Sequence, residues 1–233
     1  MRILAIGAHP DDIEILCGGT LAKYSKQGHH VYMAHLCNGC LGSKDTPPET
    51  LAKIRDNEAK NSAGLIRAET LGPIAGDLEL YPTRDMRIRV VDIIRQARPD
   101  IIITHSLDDY MPDHVTTGQL VFDAAFTATL PLYKTDYPAH EKITPIYQMD
   151  TVAGFCFEPD VYVDISDFFE TKKKMLLCHE SQYKWIKGHH QSDPVKLIEK
   201  MAGFRGLQCG VEYAEAFKKV RVWGRIFPQD ILS

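Results

Sequence analysis

The chain has 233 residues, 44% of them hydrophobic, enough to bury a substantial core. A formal net charge of −4 provides no basic field, so binding to nucleic acid or to an anionic membrane surface is not expected. Six cysteines are too sparse for a disulfide scaffold in a chain this long, and no apolar run reaches the roughly 20 residues that span a bilayer, so a cytoplasmic protein with reduced thiols is expected.

Residues 1–8 read as a strand, not as a signal peptide, which would open on basic residues and end on small ones. Within them the run ILAIG at 3–7 suits a strand buried on both faces. A helix follows over 16–27 and is closed by Gly28. A second strand lies at 31–36. Residues 37–48 are a loop rich in Gly, Pro, Ser and Asp. The pattern then predicts a helix over 48–65, a short strand at 70–71 and a helix over 85–97 that ends before Pro99. Residues 100–104 (DIIIT) are a clear buried strand, and a helix occupies 113–128. No clean period is legible over 130–150. A strand is expected at 161–163 and a helix over 165–182, with Asp164 or Ser166 as its cap. Runs at 213–217 and 220–226 close the chain.

Strands alternating with helices imply an α/β fold: a Rossmann-like, mostly parallel sheet with helices on both faces, built as one domain over 1–233. No internal repeat, low-complexity tract or linker divides it. Ligands of such sheets bind outside the carboxyl ends of the strands. The loops after Gly7, Leu36 and Thr104 are therefore the places to search.

The first of these loops reads Ala8-His9-Pro10-Asp11-Asp12-Ile13-Glu14 and the third runs from His105 to Met111-Pro112-Asp113-His114. Together they bring imidazoles and carboxylates to one sheet edge, the mixed donor set that zinc prefers. Three protein ligands would leave a fourth position for water, as a catalytic site requires. His9 and Asp12 stand three residues apart across a turn and can converge on one point. Asp11, between them, must point elsewhere and is free to act as a base. The same residues could serve as turn and capping groups, but two such loops at one edge favour the metal reading.

These loops resemble those of the zinc deacetylase family that includes the N-acetylglucosaminyl-phosphatidylinositol deacetylases and the bacterial deacetylases of mycothiol and bacillithiol synthesis. The resemblance rests on Ala8 to Glu14, Gly18-Gly19-Thr20 and the segment ending Pro112-Asp113-His114, with weaker matches at Arg55-x-x-Glu58, His179-x-Ser181-Gln182 and Tyr213 to Phe217. It implies zinc, or another divalent metal such as Fe2+ or Co2+, held by His9, Asp12 and His114. Asp11 would be the base and Asp113 an orienting acid with a part in catalysis. Arg55, Asp109, Tyr110 and His179 would contact the substrate, a small N-acetylated sugar. A homo-oligomer is implied on the same ground.

The sequence departs from that family at Met111, where the family usually carries a histidine that helps stabilise the oxyanion or protonate the leaving amine. A thioether does neither at useful strength. Tyr110, His179, His189 and His190 are the candidate substitutes. Other features carry less. Cys37-Asn38-Gly39-Cys40 has no second ligand pair and reads as a rim loop. Lys172-Lys173-Lys174 reads as a solvated helix face, and Gly18-Gly19 as a site of close helix packing. A zinc amidohydrolase for a non-sugar amide, and a metal-bound protein of little activity, remain open alternatives to the sugar deacetylase.

Overall fold

In strand β1 (Arg2–Gly7) successive side chains serve two cores: Ile3 and Ala5 enter one, Leu4 and Ile6 the other. A strand covered on both faces needs this continuous apolar run. The computed structural model describes residues 1–189 and 191–225. Among these, β2 (His30–His35), β3 (Glu69–Leu71), β4 (Ile101–Thr104), β5 (Ile146–Met149), β6 (Val161–Asp164) and β7 (Ala214–Lys219) complete a seven-stranded sheet in the order β3-β2-β1-β4-β5-β7-β6. The first five strands are mutually parallel, and β7 runs antiparallel to both neighbours.

Helices α1 (Asp12–Lys26), α2 (Pro48–Leu65), α5 (Phe169–Leu177) and α7 (Pro194–Cys209) supply the core on one face, and α3 (Arg84–Ala97) with α4 (Pro112–Thr127) that on the other. A further helix, α6 (Glu180–His189), follows α5. The chain leaves β1 for one neighbour, β2, and reaches the other, β4, only after crossing to the opposite face. The strand order therefore reverses at β1 and β4, and a crevice opens beyond their carboxyl ends. The expected α/β architecture, mostly parallel with helices on both faces, is the one found.

Several expectations need correction. Helix α1 starts at Asp12, four residues before the predicted 16, so the acids of the first loop lie in its opening turn. The helix read over 165–182 is a short 3-10 turn followed by α5 and α6, and His179 lies at the break between them. Strand β5 and helix α7 were not legible. Of the two closing runs, the first corresponds to β7, Ala214–Lys219, and Ile226 of the second lies outside the described residues.

Lys172 is not on a solvated face: it is 2% exposed. Its ammonium donates to Ile15 O at 2.7 Å and pairs with Glu215 of β7. Glu215 in turn accepts from the amides of Gly19 and Thr20 at 2.9 and 2.7 Å. A carboxylate buried beneath α1 needs a cation beside it, and Lys172 is that cation. At Gly19 an added Cβ would lie 2.7 Å from Ile165, the close packing expected of that glycine.

Candidate active site

The turn after β1 delivers His9, Asp11 and Asp12 to the crevice. Asp11 has a φ of 124°, a conformation that side-chain-bearing residues rarely adopt and that concentrates at functional sites. This backbone sends Asp11 away from its neighbours, as its position between two converging residues requires. Asp12 Oδ2 accepts the His9 amide at 2.7 Å, which fixes its carboxylate inside the turn.

Both predicted histidine ligands are tied from behind. His9 Nε2 lies 3.0 Å from Asp113 Oδ2, and His114 Nδ1 lies 3.0 Å from Asp109 Oδ2. The two opposite ring nitrogens face Asp12: His9 Nδ1 is 3.5 Å from Oδ2 and His114 Nε2 is 3.3 Å from Oδ1. His114 Nε2 is buried yet makes no hydrogen bond. A ring whose far nitrogen donates to a carboxylate presents its other lone pair forward, the usual arrangement of a metal-ligating histidine. One donor atom from each of His9, Asp12 and His114 lies within 4.8 Å of the others.

The electrostatics fit the same group. Burial pulls the His9 imidazole down, but Asp113 and Asp12 outweigh it and hold its pKa at about 10. Burial likewise opposes His114, yet Asp12 and Asp109 raise it to about 9. Burial would raise Asp12, but His114 and His105 hold it well below the usual carboxylate range. The carboxylates thus outnumber the fixed cations, and two protons on imidazole make up the deficit. A divalent cation carries the same charge and displaces those protons on binding.

Asp11 faces Arg55 of α2. Arg55 Nη2 donates to Asp11 Oδ1 at 3.2 Å and also to Pro10 O, while Nη1 donates to Gly39 O at 3.1 Å. Burial pushes Asp11 up to about 6, against the pull of Arg55. The carboxylate borders a cavity of about 410 Å3, whose walls include His9, Asp12, Arg55, Tyr110, Met111 and Trp185.

Not every expected residue reaches that cavity. Asp109 has a fully buried side chain, committed to His114 and to the Met111 amide. His179 has no exposed surface and sits 3.0 Å from Glu14 Oε1, which also accepts from Ser62 Oγ at 2.6 Å. Neither side chain is among the cavity-lining residues. Asp113 is buried as well, accepting the Leu78 amide at 2.9 Å besides facing His9, but it does border the cavity. Arg55, Tyr110 and Asp11 do line the cavity. His189 stacks on Trp185 with ring centroids 4.4 Å apart and borders a neighbouring groove. His190 lies outside the described residues.

Two participants escaped sequence reasoning. His105 stacks on His114 at 3.9 Å, accepts the Ala8 amide at 3.0 Å and lies 3.3 Å from Asp12 Oδ2. Its position just past β4 was the available signal. Asp77 accepts the amides of Gly39 and Leu41 at 2.7 and 2.9 Å and so fixes the rim loop; nothing in the sequence marks it. That loop contains Cys37, whose buried thiol is pushed up and stays protonated, and Cys40. All six cysteines are free.

The family model described as PIG-L, GlcNAc-PI de-N-acetylase, matches residues 4–125. The chain belongs to the PIG-L family. Diacetylchitobiose deacetylase of Thermococcus kodakarensis is 34% identical over 94% of this chain and 83% of its own length. The solved N,N'-diacetylchitobiose deacetylase of Pyrococcus horikoshii, in complex with an inhibitor, superposes with a TM-score of 0.82 at 27% identity, covering 94% of this chain and 83% of that one. A 4-oxalmesaconate hydratase of Pseudomonas putida is 27% identical over 77% of this chain and 73% of its own length. The PIG-L match includes both loops that supply His9, Asp12 and His114, as well as Arg55. No helix among the described residues is long and apolar enough to cross a membrane.

Proposed function

We propose that this PIG-L protein is a metal-dependent deacetylase that hydrolyses the N-acetyl group of an N-acetylglucosamine-type sugar. One observation carries the reading: two imidazoles, each tied by its far nitrogen to a carboxylate, converge on Asp12 while the Asp11 carboxylate borders the same cavity. His9, Asp12 and His114 would hold the ion, with zinc the best match to two imidazoles and a carboxylate and Fe2+ or Co2+ accepted by the same set. The ion would supply an activated water and polarise the amide carbonyl.

Asp11 takes the proton from the attacking water. Arg55 holds its carboxylate ionised and aimed. Asp113 and Asp109 keep the two imidazoles in the required tautomer and orientation. Tyr110 takes over from the histidine that Met111 replaces. It lines the cavity, and burial together with Asp109 and Asp12 raises its phenol above the usual value, so it keeps its proton as a hydrogen-bond donor.

The hydratase relative raises a second reading, since activated water and a base would also serve addition of water to a carbon–carbon double bond. The cavity lining opposes it. Its charged walls, histidines apart, are Asp11, Asp12, Asp77, Asp113 and a single arginine already paired with Asp11. A substrate with several carboxylates would meet no free cation among these residues, whereas a neutral acetamido sugar meets no charge penalty. The deciding assay removes metal with a chelator, restores Zn2+, Fe2+ or Co2+, and follows acetate and free amine from N-acetylglucosamine and its glycosides alongside hydration of 4-oxalmesaconate. Acetate release restored by metal is expected; hydration without acetate release would overturn the reading.

A homo-oligomer is part of the same proposal, supported by exposed apolar side chains at Phe126, Leu132 and Trp223. A cytoplasmic location is supported by the six unpaired thiols. One domain over 1–233 is supported by a sheet that draws strands from both halves of the chain.

A further inference from the structure

A second cluster of ligating side chains shares His9 with the first. One donor atom from each of His9, Cys37 and Asp77 lies within 4.8 Å of the others. Cys37 stands just past β2, and its amide donates to Ala8 O at 2.8 Å. The parallel pairing of β1 with β2 thus sets a fully buried thiol beside the histidine that follows β1. Asp113 marks which edge of the ring is involved. Its Oδ2 lies 3.0 Å from His9 Nε2, and its carboxylate also faces the Cys37 thiol. The second cluster therefore meets the Nε2 edge of the imidazole, whereas Nδ1 faces Asp12.

The carboxylate of this cluster is oriented in advance. Asp77 is buried, and its two oxygens accept the amides of Gly39 and Leu41 at 2.7 and 2.9 Å. Each oxygen keeps a further lone pair, and a ligating carboxylate is characteristically held by such hydrogen bonds. Its amide partners are neutral and leave its charge uncompensated. The cluster also stands in a wall between two cavities. His9 and Asp77 border the catalytic one, and Cys37 borders a smaller one of about 100 Å3 together with His35 and Asn38. The donor set narrows the occupant. The first cluster offers only nitrogen and oxygen; this one adds sulfur, the soft donor that selects thiophilic cations.

We infer that His9, Cys37 and Asp77 form a second cation site, selective for thiophilic ions of the Cd2+ class, which competes with the site of His9, Asp12 and His114 for one imidazole. On binding, the Cys37 S–H bond breaks, the sulfur electron pair goes to the ion and the proton leaves to water. A neutral imidazole has a single ring lone pair to give. With an ion on Nδ1, Nε2 carries the ring proton and donates it to Asp113. With an ion on Nε2, Nδ1 carries the proton and the first site loses a ligand. The inference goes beyond the deacetylase reading and takes from it only the shared His9.

The test titrates Cd2+ alone into the zinc-loaded full chain. A thiolate-to-cadmium charge-transfer band in the ultraviolet is expected to grow and saturate at a single equivalent, with zinc released in step to a chelating dye. Cys37→Ser should lose the band while acetate release without cadmium stays at the native level; Cys37→Ala gives the same test should the serine disturb packing. Cys40→Ser, on the same loop, should keep the band. Asp77→Asn should weaken cadmium binding by about tenfold or more, at least the effect of removing an outer partner of a metal ligand. A band that survives both Cys37 variants, or one lost only in Cys40→Ser, would overturn the inference, as would a full band with no zinc released. Acetate release without a Cys37-dependent band would overturn this site and leave the deacetylase reading standing. A Cys37-dependent band with zinc release, in a chain that frees acetate from no sugar, would support the site and overturn that reading.

Discussion

Arg55 reaches from the middle of α2 to donate to Oδ1 of Asp11 at 3.2 Å, and both side chains are buried. The pair opposes desolvation: burial raises Asp11 to about 6, and Arg55 is the main group pulling it down. Arg55→Gln should therefore raise Asp11 further. A base works only when deprotonated, so the acid limb of the kcat/KM profile should move to higher pH and the rate at pH 7 should fall about tenfold or more. A profile whose acid limb stays put would separate Arg55 from the base.

Asp11→Asn keeps the size of the side chain but removes its proton-accepting ability. Metal content by elemental analysis should be unchanged, and turnover should fall by about 100-fold or more. Full activity with metal retained would show that the base lies elsewhere.

Asp109 Oδ2 lies 3.0 Å from His114 Nδ1, and we propose that it acts through that imidazole and not through substrate. Asp109→Asn should weaken metal affinity by about 10- to 100-fold, the usual consequence of removing the carboxylate behind a ligating imidazole, and excess metal should restore most of kcat. His114→Ala should lose the ion altogether. A competitive chelator titration reads both. A raised KM at unchanged metal affinity in Asp109→Asn would instead mean a substrate contact.

If Tyr110 supplies the donor missing at Met111, Tyr110→Phe should slow deacetylation by about 10- to 1000-fold, the scale of one oxyanion donor. Met111→His should then change the native rate little and rescue Tyr110→Phe. A large gain from Met111→His in the native chain, with no loss from Tyr110→Phe, would mark the enzyme as a weakened hydrolase.

His35, at the end of β2, is pushed down to about 4, chiefly by burial and against the pull of Glu14. A depressed imidazole is neutral in the fold while the unfolded chain titrates near about 6.5. Its contribution is complete above that pH and is lost as pH falls from 6.5 towards 4, because only the unfolded chain takes up the proton there. The loss is on the order of 3 kcal/mol for a group this deeply buried. His35→Leu should flatten the urea-unfolding stability profile in that window relative to wild type. Parallel profiles would show that His35 is not the group responsible.

The sequence by itself determined the parallel core and the meeting of His9, Asp12 and His114 at one edge of it. The double-faced apolar runs at β1 and β4 could be buried in few other ways, and His9, Asp12 and His114 follow strand ends that a parallel sheet must bring to one edge. The backbone constraint on Asp11 was equally local, since a residue between two converging neighbours has to turn away. The tertiary structure decided what depends on distant partners. Lys172 looked solvated until β7 set Glu215 beneath α1. His179 found its buried partner, Glu14, only when the break between α5 and α6 came to lie against α1. His105 gained its place only when β4 paired with β1 and set its ring against His114 and Asp12. Periodicity records which face of an element is buried; it does not record which polar group from elsewhere in the chain will be waiting there, because that pairing is settled by the charge and hydrogen-bond balance of the assembled interior.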